Sequence, residues 1–339
     1  MTTAVPNKRI PTLDAARFIA AIGVVWIHVC QTPATSNFGA IGRFAVPFFA
    51  ATAGYFLVQS IQQNPSLKLQ SFAASRLTRL YLPFLVWSGM YWAFKLAKKL
   101  IVKDSDTTLP GIEVLYQGGA YHLWFIPYLT LASLIIYGVS RYNAPTARNQ
   151  RYLAAFSASL GLLLAMLLSI SQPVENTPYF MMMATPSLLW GSALGWLQIA
   201  SKSQTGQPCL QSRNPTMPIL LIGLFVVATL TPPGTIRSSL LENAAGVALL
   251  LIAIYASLMT NLQKKGSKTI DLIARLGQVS LGIYFCHLLF IKIGEILLNR
   301  WSPNYGLTIA VCFTAIVTLL ATGCSLIAAR YRFTRWLVA

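Results

Sequence analysis

Apolar residues in this chain come in long runs rather than alternating with polar ones, and the runs recur from one end to the other. A helix that crosses a hydrocarbon core takes roughly 20 such residues. Ten runs predict spans: residues 12–31, 41–61, 80–100, 121–140, 152–171, 179–199, 217–232, 240–260, 277–297 and 306–328. The seventh is short and bounded by Pro218, Pro232 and Pro233. The polar stretches between the runs are too short for a soluble domain. The expectation is therefore one all-α domain over 1–339, a polytopic bundle of about ten transmembrane helices. Lys8 and Arg9 precede the first run as they would in a signal peptide. However, Asp14 and Arg17 interrupt that run and no small-x-small cleavage site follows, so it reads as an uncleaved span.

The first run, LDAARFIAAIGVVWIHV, carries Arg17 and His28. Ionisable groups inside a bilayer are costly and mark functional sites by default. Eleven residues are about three helical turns, which leaves the two side chains about 20° apart around the axis and about 16 Å apart along it. One helix face thus presents a fixed cation and, deeper, an imidazole. That pattern suits an anionic ligand whose far end must reach a base.

Composition agrees with the runs. Apolar residues make up 55% of the chain and charged residues 10%, against about 25% charged in soluble domains; mean hydropathy is +0.59. The net charge of +18 would suggest nucleic acid in a soluble protein. Here the basic residues outside the spans fall mostly at the two ends and in the even-numbered loops, including Lys68, Arg76, Arg79, Arg141, Arg148, Arg151, Lys264, Lys265, Arg330, Arg332 and Arg335. Basic residues are enriched in short cytoplasmic loops, which predicts both termini in the cytoplasm and no nucleic-acid partner. Lys95, Lys98, Lys99 and Lys103 run against the trend and can snorkel from a helix end. Five cysteines form no CxxC pair and read as small buried hydrophobes, apart from Cys209 in a loop.

Other polar residues stand out against this background. Asp14 and Arg17 are i, i+3 and close enough to pair. Arg76 and Arg79 share that spacing and can present one cationic face to phosphate oxygens, or simply anchor the helix. His122 and Trp124 open the fourth span in GGAYHLWFIPYL, Glu113 lies in the loop before it, and Tyr284 and His287 share a face in SLGIYFCHLLF. Arg43, Lys292 and Glu295 need partners, and the last two are i, i+3. His28 alone could equally be a hydrogen-bonded core histidine.

In order along the chain, LDAARFIAAIGVVWIH (13–28), RFAVPFFAATAGYFL (43–57), RLTRLYLPFLVW (76–87), YHLWFIPYL (121–129) and SLGIYFCHLLF (280–290) resemble the acyltransferase family 3 membrane proteins. These are integral O-acyltransferases of bacterial surface glycans and related acceptors. The most specific element is the Arg, ten residues, His pattern of Arg17 and His28, reinforced by Arg76 and Arg79. The wording is nearest the branch that acetylates antigens and exopolysaccharides. One departure is FFAATAG, with Ala53 where the family often has Ser. As the chain stops soon after its tenth span, the expectation is that it lacks the extracytoplasmic hydrolase-like domain of some relatives.

The resemblance implies a bacterial plasma-membrane enzyme that moves an acyl group, acetyl in the simplest case, from cytoplasmic acyl-CoA to a hydroxyl of an extracytoplasmic or lipid-linked glycan. Arg76, Arg79 and Arg17 would bind the CoA phosphates. His28, with Arg17 and Asp14, would carry the chemistry, as a general base or as a transient acyl carrier. His122, Trp124, Glu113, Tyr284, His287 and Arg43 would serve the acceptor or the pocket. Acyl-CoA is then a co-substrate, with no resident cofactor and no metal. The competing class is a transporter of a polysaccharide or lipid-linked substrate, in which buried cations bind phosphate and no thioester is consumed.

Overall fold

The computed structural model describes residues 9–102, 111–144, 146–171, 176–205, 216–231, 238–263, 268–298 and 304–338. The chain is built of α1 (Pro11–Val29), α2 (Ser36–Gly39), α3 (Ala45–Gln63), α4 (Leu69–Arg76), α5 (Leu82–Val102), α6 (Val114–Gln117), α7 (Phe125–Asn143), α8 (Ala147–Ile170), α9 (Thr177–Thr205), α10 (Thr216–Leu230), α11 (Ser238–Gln263), α12 (Lys268–Gly277), α13 (Ser280–Leu298) and α14 (Leu307–Arg330). No strand occurs among the described residues. The protein is an all-α polytopic membrane protein.

Each of the ten apolar runs forms a helix, and seven helical stretches among the described residues are long and apolar enough to cross a bilayer. The other three are α5, whose last turns carry Lys95, Lys98 and Lys99, α9, rich in Ser, Thr and Gly, and α10, with 15 residues. Leu162, Leu163, Val227, Leu319 and Leu320 are among the large apolar side chains left exposed on α8, α10 and α14. That surface is suited to lipid.

α1 lies at the centre, packed against α3, α11, α12, α13 and α14. Its inner face is made of small side chains, Ala16, Ala20, Ala21, Val24 and Val25, all buried. Small residues let membrane helices approach closely without a hydrophobic driving force. The same device joins α3 to α9, where a Cβ on Gly191 would strike the backbone of Ala51.

The runs hide several breaks. A 3-10 turn at Ala40–Gly42 separates α2 from α3, so the span expected at 41–61 is helical only from Ala45 in regular form. α4 and α5 are joined through a π turn at Leu77–Tyr81, which carries the helix eleven residues upstream of the run. α12 was absent from the apolar pattern because it is amphipathic, with Asp271 and Arg275 on a short helix. It ends at Gly277, packed so tightly on the carbonyl of Asp14 that no side chain fits there. The ninth span therefore begins at Ser280 rather than 277. Cys30 and Cys286 are buried as expected, whereas Cys312 and Cys324 are exposed; Cys209 lies outside the described residues.

Candidate active site

His28 sits in the last turn of α1, His122 in a 3-10 turn at Tyr121–Trp124 that leads into α7, and His287 in the second turn of α13. The chain has three histidines, and all three meet. The His28 and His287 rings stack with centroids 5.3 Å apart, while His122 lies edge-on to both, 6.1 Å from His28 and 4.9 Å from His287. His287 Nδ1 lies 2.8 Å from the Tyr284 carbonyl and 3.1 Å from that of Ile283. Carbonyls only accept, so Nδ1 carries the proton and Nε2 keeps a lone pair in the neutral ring. That Nε2 and both ring nitrogens of His122 are buried without a hydrogen-bond partner. Buried polar atoms are nearly always bonded, so three unpartnered nitrogens in one cluster mark a place where a polar group can bind.

Tyrosines frame the cluster. The Tyr121 hydroxyl is 2.8 Å from His28 Nδ1 and accepts from Gln31 Nε2 at 3.2 Å. Tyr284 donates to the backbone carbonyl of His122, and the Tyr91 ring stands edge-on to His122 at 5.4 Å. Tyr91 in turn donates to the Phe285 carbonyl at 2.7 Å, tying α5 to α13.

At the opposite end of α1 a cavity of about 840 Å³ opens, lined by Arg9, Asp14, Arg17, Arg79, Arg332 and Arg335 among others. Asp14 is the one carboxylate among these described lining residues, and it pairs with Arg17 at 3.0 Å. The residues that precede α1 and those that follow α14 thus share one mouth. A second, smaller cavity of about 180 Å³ is mostly apolar and is lined by Phe49, Thr52, Leu80, Phe125 and Leu281, with Arg17 at its border and Tyr284 on its wall. Arg17 lines both spaces. Tyr284 lines the smaller one and packs its ring 5.4 Å from that of His122.

The chain matches the acyltransferase domain of acyltransferase family 3 over residues 10–330, nearly its whole length. It belongs to that family. It is also similar to an amino-acid racemase of Enterococcus faecalis, 29% identical over 137 residues, which is 36% of this chain and 17% of that protein. A second amino-acid racemase of the same organism is 25% identical over 130 residues, 37% of this chain and 18% of the other. The chain spans less than a fifth of the length of these relatives.

Of the residues singled out in this family member, α1 carries Asp14, Arg17 and His28 on one unbroken helix, and His122, Tyr284 and His287 join His28. The two cations of the third span part company. Arg79, in the π turn, lines the large cavity, whereas Arg76 lies over the Phe72 ring at 4.8 Å. Burial and the neighbouring Arg79 charge pull the Arg76 guanidinium below its usual range. A π turn inserts an extra residue per turn, so i, i+3 spacing no longer guarantees a common face.

Three further candidates lie apart from the cluster. Arg43 pairs with Glu242 of α11 at 3.1 Å. Glu113 is exposed and accepts from the Gly111 amide of its own loop at 3.0 Å. Trp124 stacks on Phe180 with centroids 6.1 Å apart, packing the 3-10 turn before α7 against α9. Lys292 and Glu295 do satisfy each other, at 2.7 Å. Among the described residues no set of three or more His, Cys, Asp or Glu side chains is arranged to hold a metal.

Tyr121, Gln31 and Tyr91 escaped the sequence reading, Tyr121 because an interfacial tyrosine has an ordinary explanation. Arg9, Arg332 and Arg335 escaped it as positive-inside residues. Their signal was present in their number at the two chain ends.

Proposed function

We propose that this family member is a plasma-membrane O-acyltransferase that moves an acyl group, acetyl in the simplest case, from acyl-CoA to a hydroxyl of a glycan or lipid-linked sugar, with both termini and the large cavity on the cytoplasmic side. The wording of its motifs favours the antigen and exopolysaccharide branch. One observation carries the reading. Arg17 borders both cavities, and Tyr284, which lines the smaller one, packs its ring against His122. An extended thioester can leave its phosphates among the arginines and run its arm past Arg17 toward His28.

At the far end His28 acts as the general base. With Nδ1–H donated to the Tyr121 oxygen, the Nε2 lone pair is left to take a proton. His28 removes the acceptor hydroxyl proton as that oxygen attacks the thioester carbonyl carbon. The carbon–sulfur bond then breaks, and the leaving thiolate takes the proton back from the imidazolium. One unpartnered nitrogen of His122, as the N–H of the neutral ring, donates to the acceptor oxygen and holds it in place before the attack. Arg79 and Arg17 bind phosphate through guanidinium forks, whose planar geometry matches phosphate oxygens. Arg76, turned to Phe72, supports that site through its packing.

The test is to incubate purified protein in nanodiscs with radiolabelled acetyl-CoA and a crude lipid and glycan extract. Release of CoA thiol with label appearing in the extract is the expected result. A protein that neither binds CoA nor releases thiol would overturn the reading.

A further inference from the structure

The segment after α14 is held against the bundle rather than trailing from it. Thr334 Oγ1 donates to the Ala328 carbonyl at 2.7 Å, and Trp87 of α5 donates to the Leu337 carbonyl at 3.2 Å. Val338 is 2% exposed and sits over Gly282 of α13, leaving no room for a side chain there. These anchors fix Arg332, Arg335 and Trp336 on the wall of the large cavity. The Trp336 indole N–H is already donated to the Phe333 carbonyl at 2.7 Å, and the residue remains 40% exposed. Its ring is available as a stacking surface, while its one donor is spent.

Five arginines line the cavity against one carboxylate, and that carboxylate is paired with Arg17. This excess is more than a pyrophosphate bound at Arg17 and Arg79 calls for. Arg332, Arg335 and Trp336 line the large cavity but not the small one, so they lie away from the route of the acyl arm. Two guanidinium forks beside an open aromatic face match a purine base with a phosphate on its ribose.

We propose that the anchored C-terminal segment is a subsite for the 3′-phosphoadenosine end of the donor, with Arg332 and Arg335 on the ribose phosphate and Trp336 against the base. The inference rests on the acyl-CoA reading above. The subsite makes the protein selective for CoA over dephospho-CoA, which lacks that phosphate. It also makes the C-terminal segment part of the donor site rather than a membrane-surface anchor.

The experiment measures binding of CoA, dephospho-CoA and 3′,5′-ADP to full-length protein in nanodiscs of zwitterionic lipid. The native chain is expected to prefer CoA over dephospho-CoA by on the order of tenfold or more, since hydrogen bonds to charged groups are the strong ones. Joint Arg332→Gln and Arg335→Gln substitution abolishes that preference and leaves dephospho-CoA binding unchanged, which also shows that the variant is folded. Trp336→Leu weakens both ligands alike, and Trp336→Phe restores them. A double variant that keeps the preference for CoA would overturn the subsite while leaving the donor reading intact. So would loss of the native preference in nanodiscs of anionic lipid, because headgroups would then hold these arginines. A native chain that binds neither CoA nor dephospho-CoA would overturn the donor reading itself.

Discussion

The two ends of α1 differ in almost every physical respect. Around Arg17 the space is wide, about 840 Å³, and crowded with guanidinium groups. Around His28 the rings of three histidines stand 4.9 to 6.1 Å apart, framed by tyrosine hydroxyls and backbone carbonyls. A charged, open mouth captures an anion at long range and needs no tight geometry. Proton transfer needs the opposite, a neutral imidazole held in one orientation. On the proposed reading, one unbroken helix keeps capture and chemistry apart while fixing the distance between them.

The largest expected effect falls at the closed end. His28→Ala removes the base, and label transfer drops by about 10² to 10⁴-fold, with helical content and donor binding kept. At the open end, Arg17→Ala deletes a charge-assisted contact and leaves Asp14 unpaired. It raises KM for the donor by roughly 10 to 100-fold, and Arg17→Lys recovers part of the loss; steady-state kinetics at saturating acceptor reads both. Tyr121→Phe sharpens the contrast, since it removes one hydrogen bond from His28 Nδ1. It lowers kcat up to about tenfold with the donor KM unchanged; a raised KM with normal kcat would place Tyr121 with the open end instead. The smallest effect is expected away from both. Arg43→Ala breaks the pair with Glu242, costing about 1 kcal/mol of stability. It lowers the melting temperature and leaves kcat and KM alone.

Much of this contrast was legible before the structure. Apolar runs find spans because lipid imposes length, and Arg17 and His28 share a face because 3.6 residues per turn is a local rule. What three distant segments do together is not local. His122 lies 94 residues from His28 along the chain and His287 another 165 beyond it, and no spacing rule brings them together. The π turn that parts Arg76 from Arg79 is likewise a tertiary outcome, since LTRLY has no composition that separates it from regular helix. Gly277 looked like an ordinary apolar-run residue, although its backbone packs directly on the carbonyl of Asp14. Arg332 and Arg335 differ again: topology alone accounts for basic residues at a chain end, so only their number there sets them apart.

The claim that α1 divides capture from chemistry is tested most directly by measuring acetyl-CoA binding and label transfer on the same His28→Ala preparation. The account predicts binding equal to that of the native chain with transfer nearly abolished. Transfer at the native rate in that variant, or donor binding lost together with transfer, would contradict it.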